Sequence, residues 1–185
     1  MGRTDYIYFI IDISNSMQGA KIGAVNDAIN NIVHGLKKVV NSMEIDIKLI
    51  VMTFAENTKW SGILPVSLDS FLFEDLIVEE NSSNLGQALS ELNDKLQKQE
   101  TVQDSYGKTI IILFSDGLAT DDYKEPINKL NANKLFRKSD RIVYTYGTKI
   151  YDLIKEPLCM FAGNEENVIV DDFLSLNKML FEKYR

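Results

Sequence analysis

Three short stretches of this sequence combine carboxylates, hydroxyls and glycine in a way that suits a hard cation. The first is Asp12-Ile13-Ser14-Asn15-Ser16, where Asp12, Ser14 and Ser16 alternate along a loop and can turn their oxygens to one centre. The second is Asn81-Ser82-Ser83-Asn84-Leu85-Gly86, in which Ser83 offers a further hydroxyl. The third is Ser115-Asp116-Gly117, where Asp116 offers a second carboxylate, directly or through water. A Mg²⁺ ion takes six oxygens at about 2.0–2.1 Å and usually keeps some water. Two carboxylates neutralise a divalent ion, and neutral hydroxyls fill other positions without cancelling its Lewis acidity. A site of that kind keeps room for a carboxylate from another molecule.

Such chemistry needs the three loops at one place. Tyr6–Asp12 (YIYFIID) is almost continuous in β-branched and aromatic residues, the pattern of a strand buried on both faces. Lys108–Ser115 (KTIIILFS) reads the same way, Ile45–Phe54 is a strand polar at first and then fully apolar, Arg141–Tyr146 and Asn167–Val170 follow, and Thr58–Ile63 reads as an antiparallel edge strand. Between them lie amphipathic stretches. Ala20–Val40 repeats apolar residues every three or four positions, and Leu85–Gln97 places Leu85, Ala88, Leu89, Leu92 and Leu96 on one face. Further helices are expected over Lys124–Phe136, over a stretch broken at Pro157, and over Phe173–Lys183, with a helical turn near Ser70–Leu76. This alternation predicts an α/β fold: a doubly wound, mostly parallel sheet with helices on both faces. In such a sheet ligands gather at the carboxyl ends of the strands, and all three polar segments leave from that rim.

The 185 residues carry no linker or repeat and are read as a single domain, 1–185. The excess of 27 acidic over 20 basic side chains, a net charge of −7, argues against nucleic-acid and anionic-lipid binding. The apolar run before Asp12 is too short for a signal peptide or a membrane span, position 6 is Tyr where a myristoylation motif after Gly2 wants Ser or Thr, and Cys159 stands alone. The expected location is cytoplasmic.

With Asp12-x-Ser14-x-Ser16 behind a buried first strand, Ser83-Asn84-Leu85-Gly86, and Phe114-Ser115-Asp116-Gly117 in that order, the chain resembles the von Willebrand factor type A domain over essentially its whole length. The resemblance implies a six-stranded sheet in the order 3-2-1-4-5-6 with one antiparallel edge strand. It also implies a metal-ion-dependent adhesion site whose inner and outer shell is Asp12, Ser14, Ser16, Ser83 and Asp116. Ser83 stands where that family usually has Thr, which keeps the hydroxyl, and Asn15 replaces a common Gly. The run Asp116–Asp122 and the tail Phe161–Asp172 look like the bacterial tellurium-resistance-type (TerY-like) branch.

The resulting expectation is a non-enzymatic interaction module. It would take Mg²⁺, with Mn²⁺ able to replace it, and grip an Asp or Glu of a partner protein in a bacterial tellurium-resistance, stress or defence system. The alternative is a Mg²⁺-dependent phosphatase of the haloacid-dehalogenase type. There the residue two positions after the nucleophilic Asp is a second Asp acting as general acid, and Ser14 cannot take over that proton transfer. A single His gives no credible nucleophile–base pair, and no glycine-rich phosphate loop follows any strand. Asp121, Asp122 and Glu125 are read as helix-terminus acids, His34 as a surface or boundary residue, Cys159 as core packing and Trp60 as packing at the sheet edge.

Overall fold

A computed structural model describes residues 3–40, 44–79, 82–100, 107–147 and 152–184; Gly2 and Asn81 lie outside them. Strand β1 (Arg3–Asp12) is followed by helix α1 (Ala20–Val40), β2 (Ile45–Phe54), β3 (Thr58–Trp60) and β4 (Val66–Ser67). Then come α2 (Leu85–Glu100), β5 (Thr109–Phe114), α3 (Lys124–Ala132), α4 (Lys134–Lys138), β6 (Asp140–Thr145), α5 (Asp152–Ala162), β7 (Val168–Val170) and α6 (Phe173–Phe181).

The sheet runs β3-β2-β1-β5-β6-β7, with β3 antiparallel to β2 and every other neighbour on this path parallel. The doubly wound architecture and the implied strand order therefore hold. A seventh strand of two residues, β4, also pairs antiparallel with β2 and was not legible as a strand.

Side-chain alternation along the strands splits the core into two layers. Ile7, Phe9 and Ile11 of β1 join Leu49, Ile112 and Tyr144 under α1 and α6, while Tyr8 and Ile10 join Met52, Leu113 and Val143 under α2, α3, α4 and α5. A sheet covered on both faces requires apolar residues at successive positions, which is why β1 and β5 read as unbroken hydrophobic runs. The terminal helix packs on the sheet through Leu176 and Leu180, and it lies so close to α1 that a Cβ on Gly35 would come within 2.4 Å of Phe181.

Three local expectations are corrected. The helix over Lys124–Phe136 is two helices, because Asn133 adopts an extended backbone and its side chain accepts from the N–H groups of Leu135 and Phe136, capping α4. The helical turn lies at Leu68–Ser70 rather than within Ser70–Leu76. The segment after it is held by buried Asn26 of α1, which both donates to and accepts from the backbone of Leu76. Helix α5 is not broken at Pro157. One missing backbone donor is offset by burying Pro157, Leu158, Phe161 and Ala162 against the sheet.

Candidate metal centre

Strand order reverses between β1 and β5: the chain leaves β1 toward β2 on one side and reaches β5 on the other, opening a crevice at their carboxyl ends. Ile11 pairs with Phe114 and Asp12 with Phe54, so the loops after β1, β2 and β5 emerge side by side. This register brings positions 12 and 115–116 together, and hydrogen bonds between the loops add position 83.

Each loop is pinned. After β1, the N–H of Ile13 still donates to Phe54 O at 2.8 Å, and a 3-10 turn over Asn15–Met17 buries Met17 as an anchor. Before α2, Asn84 donates through its backbone to Ala55 O and through its side chain to Glu56 O, both at 2.8 Å. Thr120 clamps the same segment from the third loop, donating to Ser83 O through its backbone N–H at 2.8 Å and its hydroxyl at 3.0 Å. Gly117 takes φ +78°, a region that side chains disfavour, and its N–H donates to Ser115 Oγ at 3.0 Å.

Asp12 is the centre of the arrangement and is wholly buried. Its Oδ1 accepts the Ser14 N–H at 2.9 Å, and its Oδ2 accepts the hydroxyls of Ser83 at 3.1 Å and Ser115 at 2.8 Å. Ser14 Oγ and Ser16 Oγ lie 3.3 Å apart. Asp116, also fully buried, accepts the Leu118 N–H on Oδ1 at 3.1 Å and the Lys21 ammonium on Oδ2 at 2.7 Å. Burial pushes the Asp12 carboxyl above the usual aspartate range and the nearby Asp116 charge adds to this, while the Ser14 and Ser115 donors oppose it.

The five expected residues therefore divide into two linked groups. Asp12 and Ser83 are bonded directly, Ser14 is tied to Asp12 through its backbone and to Ser16 through its hydroxyl, and Asp116 interacts electrostatically with Asp12. The donor set fits a hard cation. A buried carboxylate touched only by neutral hydroxyl and amide donors, beside a second buried carboxylate that pairs with Lys21, leaves an excess negative charge that a bound cation would offset. Among the described residues no three or more His, Cys, Asp or Glu side chains gather at ligand spacing, so a cation here relies on hydroxyls and these two acids.

Sequence reasoning passed over Ser115, Thr120 and Lys21 as parts of this site. For Ser115 the signal was present, since it leaves a buried strand one position ahead of Asp116. Lys21 also left a trace: it stands in the first turn of α1, where the helix dipole disfavours a cation unless an anion faces it.

The remaining chemistry-bearing residues settle into structural roles. Asp121 caps α2, accepting the N–H groups of Gly86 and Gln87 at 2.9 Å each; Asp122 accepts the Lys124 N–H, and Glu125 pairs with Lys129. The acids thus serve helix termini, but Asp121 serves α2 across the rim rather than the helix that follows it. His34 is exposed, and Trp60 packs edge-on to Tyr8 under the Lys95 ammonium at the sheet edge. Cys159 is only half-buried, not core. Lys155 acts to lower its thiol, but burial and Glu165 outweigh that and push it up.

The whole chain superposes on several solved structures at low identity. Proximal thread matrix protein 1 of the mussel byssus matches with TM-score 0.60 and 14% identity over 99% of this chain and 45% of that one. The ArnB paralog VWA2 from Sulfolobus acidocaldarius gives 0.64 and 19%, over 98% and 45%. The pilus adhesin SpaC from Lactobacillus rhamnosus GG gives 0.67 and 10%, over 100% and 30%. The chain thus spans less than half the length of each of these three proteins. No curated protein matches the sequence significantly. No helix among the described residues is long and apolar enough to cross a membrane. The von Willebrand factor type A domain matches residues 7–181, and the chain belongs to that family, a general protein-interaction fold.

Proposed function

We propose that this domain is a metal-dependent protein-interaction module. In this reading Asp12, Ser14, Ser16, Ser83 and Asp116 hold Mg²⁺, or Mn²⁺ in its place, and the ion presents a Lewis-acidic position to an Asp or Glu side chain of a partner protein. The observation that carries it is the environment of Asp12: a fully buried carboxylate with a second buried carboxylate nearby, met by the Ser14 amide and the Ser83 and Ser115 hydroxyls. The chain's own residues supply the rest. The hydrogen bonds on Asp12 orient it, the clamp from Thr120 holds Ser83 in place, and the exposed rim residues Asn15, Ser82 and Leu118 are available for contact with the partner. An acidic chain with net charge −7 repels an acidic partner at long range, and a bound divalent cation reverses that sign locally.

The pathway reading rests on resemblance alone. The segments Asp116–Asp122 and Phe161–Asp172 look like tellurium-resistance-type (TerY-like) proteins, which supports work in a cytoplasmic bacterial stress or defence assembly. The phosphatase alternative gains nothing, because the position of its general acid is held by the Ser14 hydroxyl, which faces Ser16.

The test is capture of partners from host lysate in Mg²⁺ by wild type and by Asp12→Ala. Proteins retained by wild type alone and released by EDTA support the mechanism and name the partner. Equal retention by the two proteins overturns it.

A further inference from the structure

The Lys21 side chain reaches from the first turn of α1 to Asp116, 95 positions away in sequence, with Nζ 2.7 Å from Oδ2. Its own helix does not favour this placement. The N-terminal end of a helix is the positive end of its dipole, and a lysine there is stabilised only by an anion in front of it. Here that anion is a carboxylate with a side chain 1% exposed, while the lysine side chain remains 22% exposed. The Lys21 stem also passes beside Gly147 at the exit of β6, where a Cβ would touch its Cγ at 3.7 Å. With Leu118 N–H on Oδ1 and Lys21 on Oδ2, each oxygen of Asp116 already has a donor, and one of the two donors is a full positive charge.

We infer that Lys21 is a latch: its ammonium is a cation carried by the chain, competing with a divalent ion for Asp116 and thereby setting the metal affinity of the site. This inference rests on the metal-site reading above. The physical argument is charge balance. Asp12 and Asp116 together neutralise one divalent ion, but while Lys21 is engaged the pair presents a net charge of only −1. A divalent ion that uses Asp116 must displace the ammonium or accept strong repulsion from it at short range. Lysine suits this role better than a buried arginine, because its flexible four-carbon stem and partial exposure let the ammonium swing into water. Ion binding and latch release are then linked, and the apparent affinity falls in proportion to the fraction of molecules with the latch open.

The test is calorimetric titration of the whole chain with Mn²⁺ and Mg²⁺, comparing wild type, Lys21→Met and Lys21→Arg. Removing the charge is expected to tighten binding by about tenfold, whereas Lys21→Arg keeps a cation beside Asp116 and stays within about threefold of wild type. Equal or weaker binding by Lys21→Met, with wild type binding normally, overturns the latch and leaves the metal site standing. No binding by either protein, both being folded by circular dichroism, overturns the latch together with the metal reading. Should Lys21→Met not fold, the structure of the Mn²⁺-loaded wild type decides. Lys21 Nζ parted from Asp116 supports the latch; the contact kept at 2.7 Å in the loaded protein overturns it.

Discussion

Strand β1 carries a buried aspartate near each end, and the two are satisfied in opposite ways. Asp5, near the amino end, is held by Arg3 through two hydrogen bonds, Nε to Oδ1 at 2.7 Å and Nη2 to Oδ2 at 2.6 Å, and accepts the Lys108 N–H at 2.7 Å. Asp12, at the carboxyl end, is equally buried but receives an amide and two hydroxyls. The guanidinium closes the electrostatic account of Asp5 within the chain, whereas Asp12 keeps an uncompensated charge at the rim where ligands gather. Of the two acids on this strand, the one with its own guanidinium serves the architecture, and the one met by neutral donors faces the rim.

The largest expected effect sharpens this contrast through Mg²⁺. At a free concentration one hundred times its dissociation constant the ion should stabilise the fold by about 2.7 kcal/mol. The melting temperature of wild type and of Asp5→Asn should then rise by roughly 5–10 °C, and that of Asp12→Asn should not move. A Mg²⁺-dependent rise in Asp12→Asn would break the assignment of Asp12.

Next in size is the metal-free protein in EDTA. Asp5→Asn removes the charge facing a partly exposed guanidinium and should cost about 2 kcal/mol. Asp12→Asn should act in the opposite direction. The Asp12 carboxyl is held above its ordinary range, so its ionised form costs stability at pH values above that range, and a neutral isostere recovers it. A gain of about 1 kcal/mol is expected, roughly 2–4 °C in melting temperature. Denaturation curves at pH 7 check both signs, and a loss of stability in Asp12→Asn would show that its charge is already balanced within the fold.

The smallest effect concerns the rim outside the proposed cation site. Asp121→Ala removes the acceptor of two N–H groups at the start of α2 and should cost about 1 kcal/mol. Because Asp121 serves a helix terminus, Mg²⁺ affinity in calorimetry should change by less than about threefold. A larger change would make Asp121 part of the metal environment after all.

Much of this was legible along the chain. The continuous apolar runs of β1 and β5 and the apolar second half of β2 matched strands buried on both faces, and the repeats of α1 and α2 matched helices covering them. The alternation of Asp12, Ser14 and Ser16 after such a run, with Ser83 and Asp116 in later loops, marked the candidate site because a doubly wound sheet delivers those loops to one rim. What escaped the reading depends on choices that local propensity leaves open, one of them a contact between distant positions. Asn133 ends one helix and caps the next, and Asn26 holds the backbone of Leu76; neither choice is visible in propensity, since asparagine suits helix caps, turns and exposed helix faces alike. The helix through Pro157 was misread because a local penalty was weighed without the burial that offsets it.

The sequence by itself determined the fold class and the types of oxygen that a cation would meet, because periodicity and residue chemistry are local properties carried by every stretch of chain. Only the tertiary structure decided how the charges balance. It left Asp12 with neutral donors from distant loops and laid Lys21 across Asp116, pairings set by strand register and by the direction in which α1 leaves the sheet. Electrostatic energy depends on distance through space, and the 95 positions between Lys21 and Asp116 collapse to 2.7 Å only once β1 and β5 lie side by side.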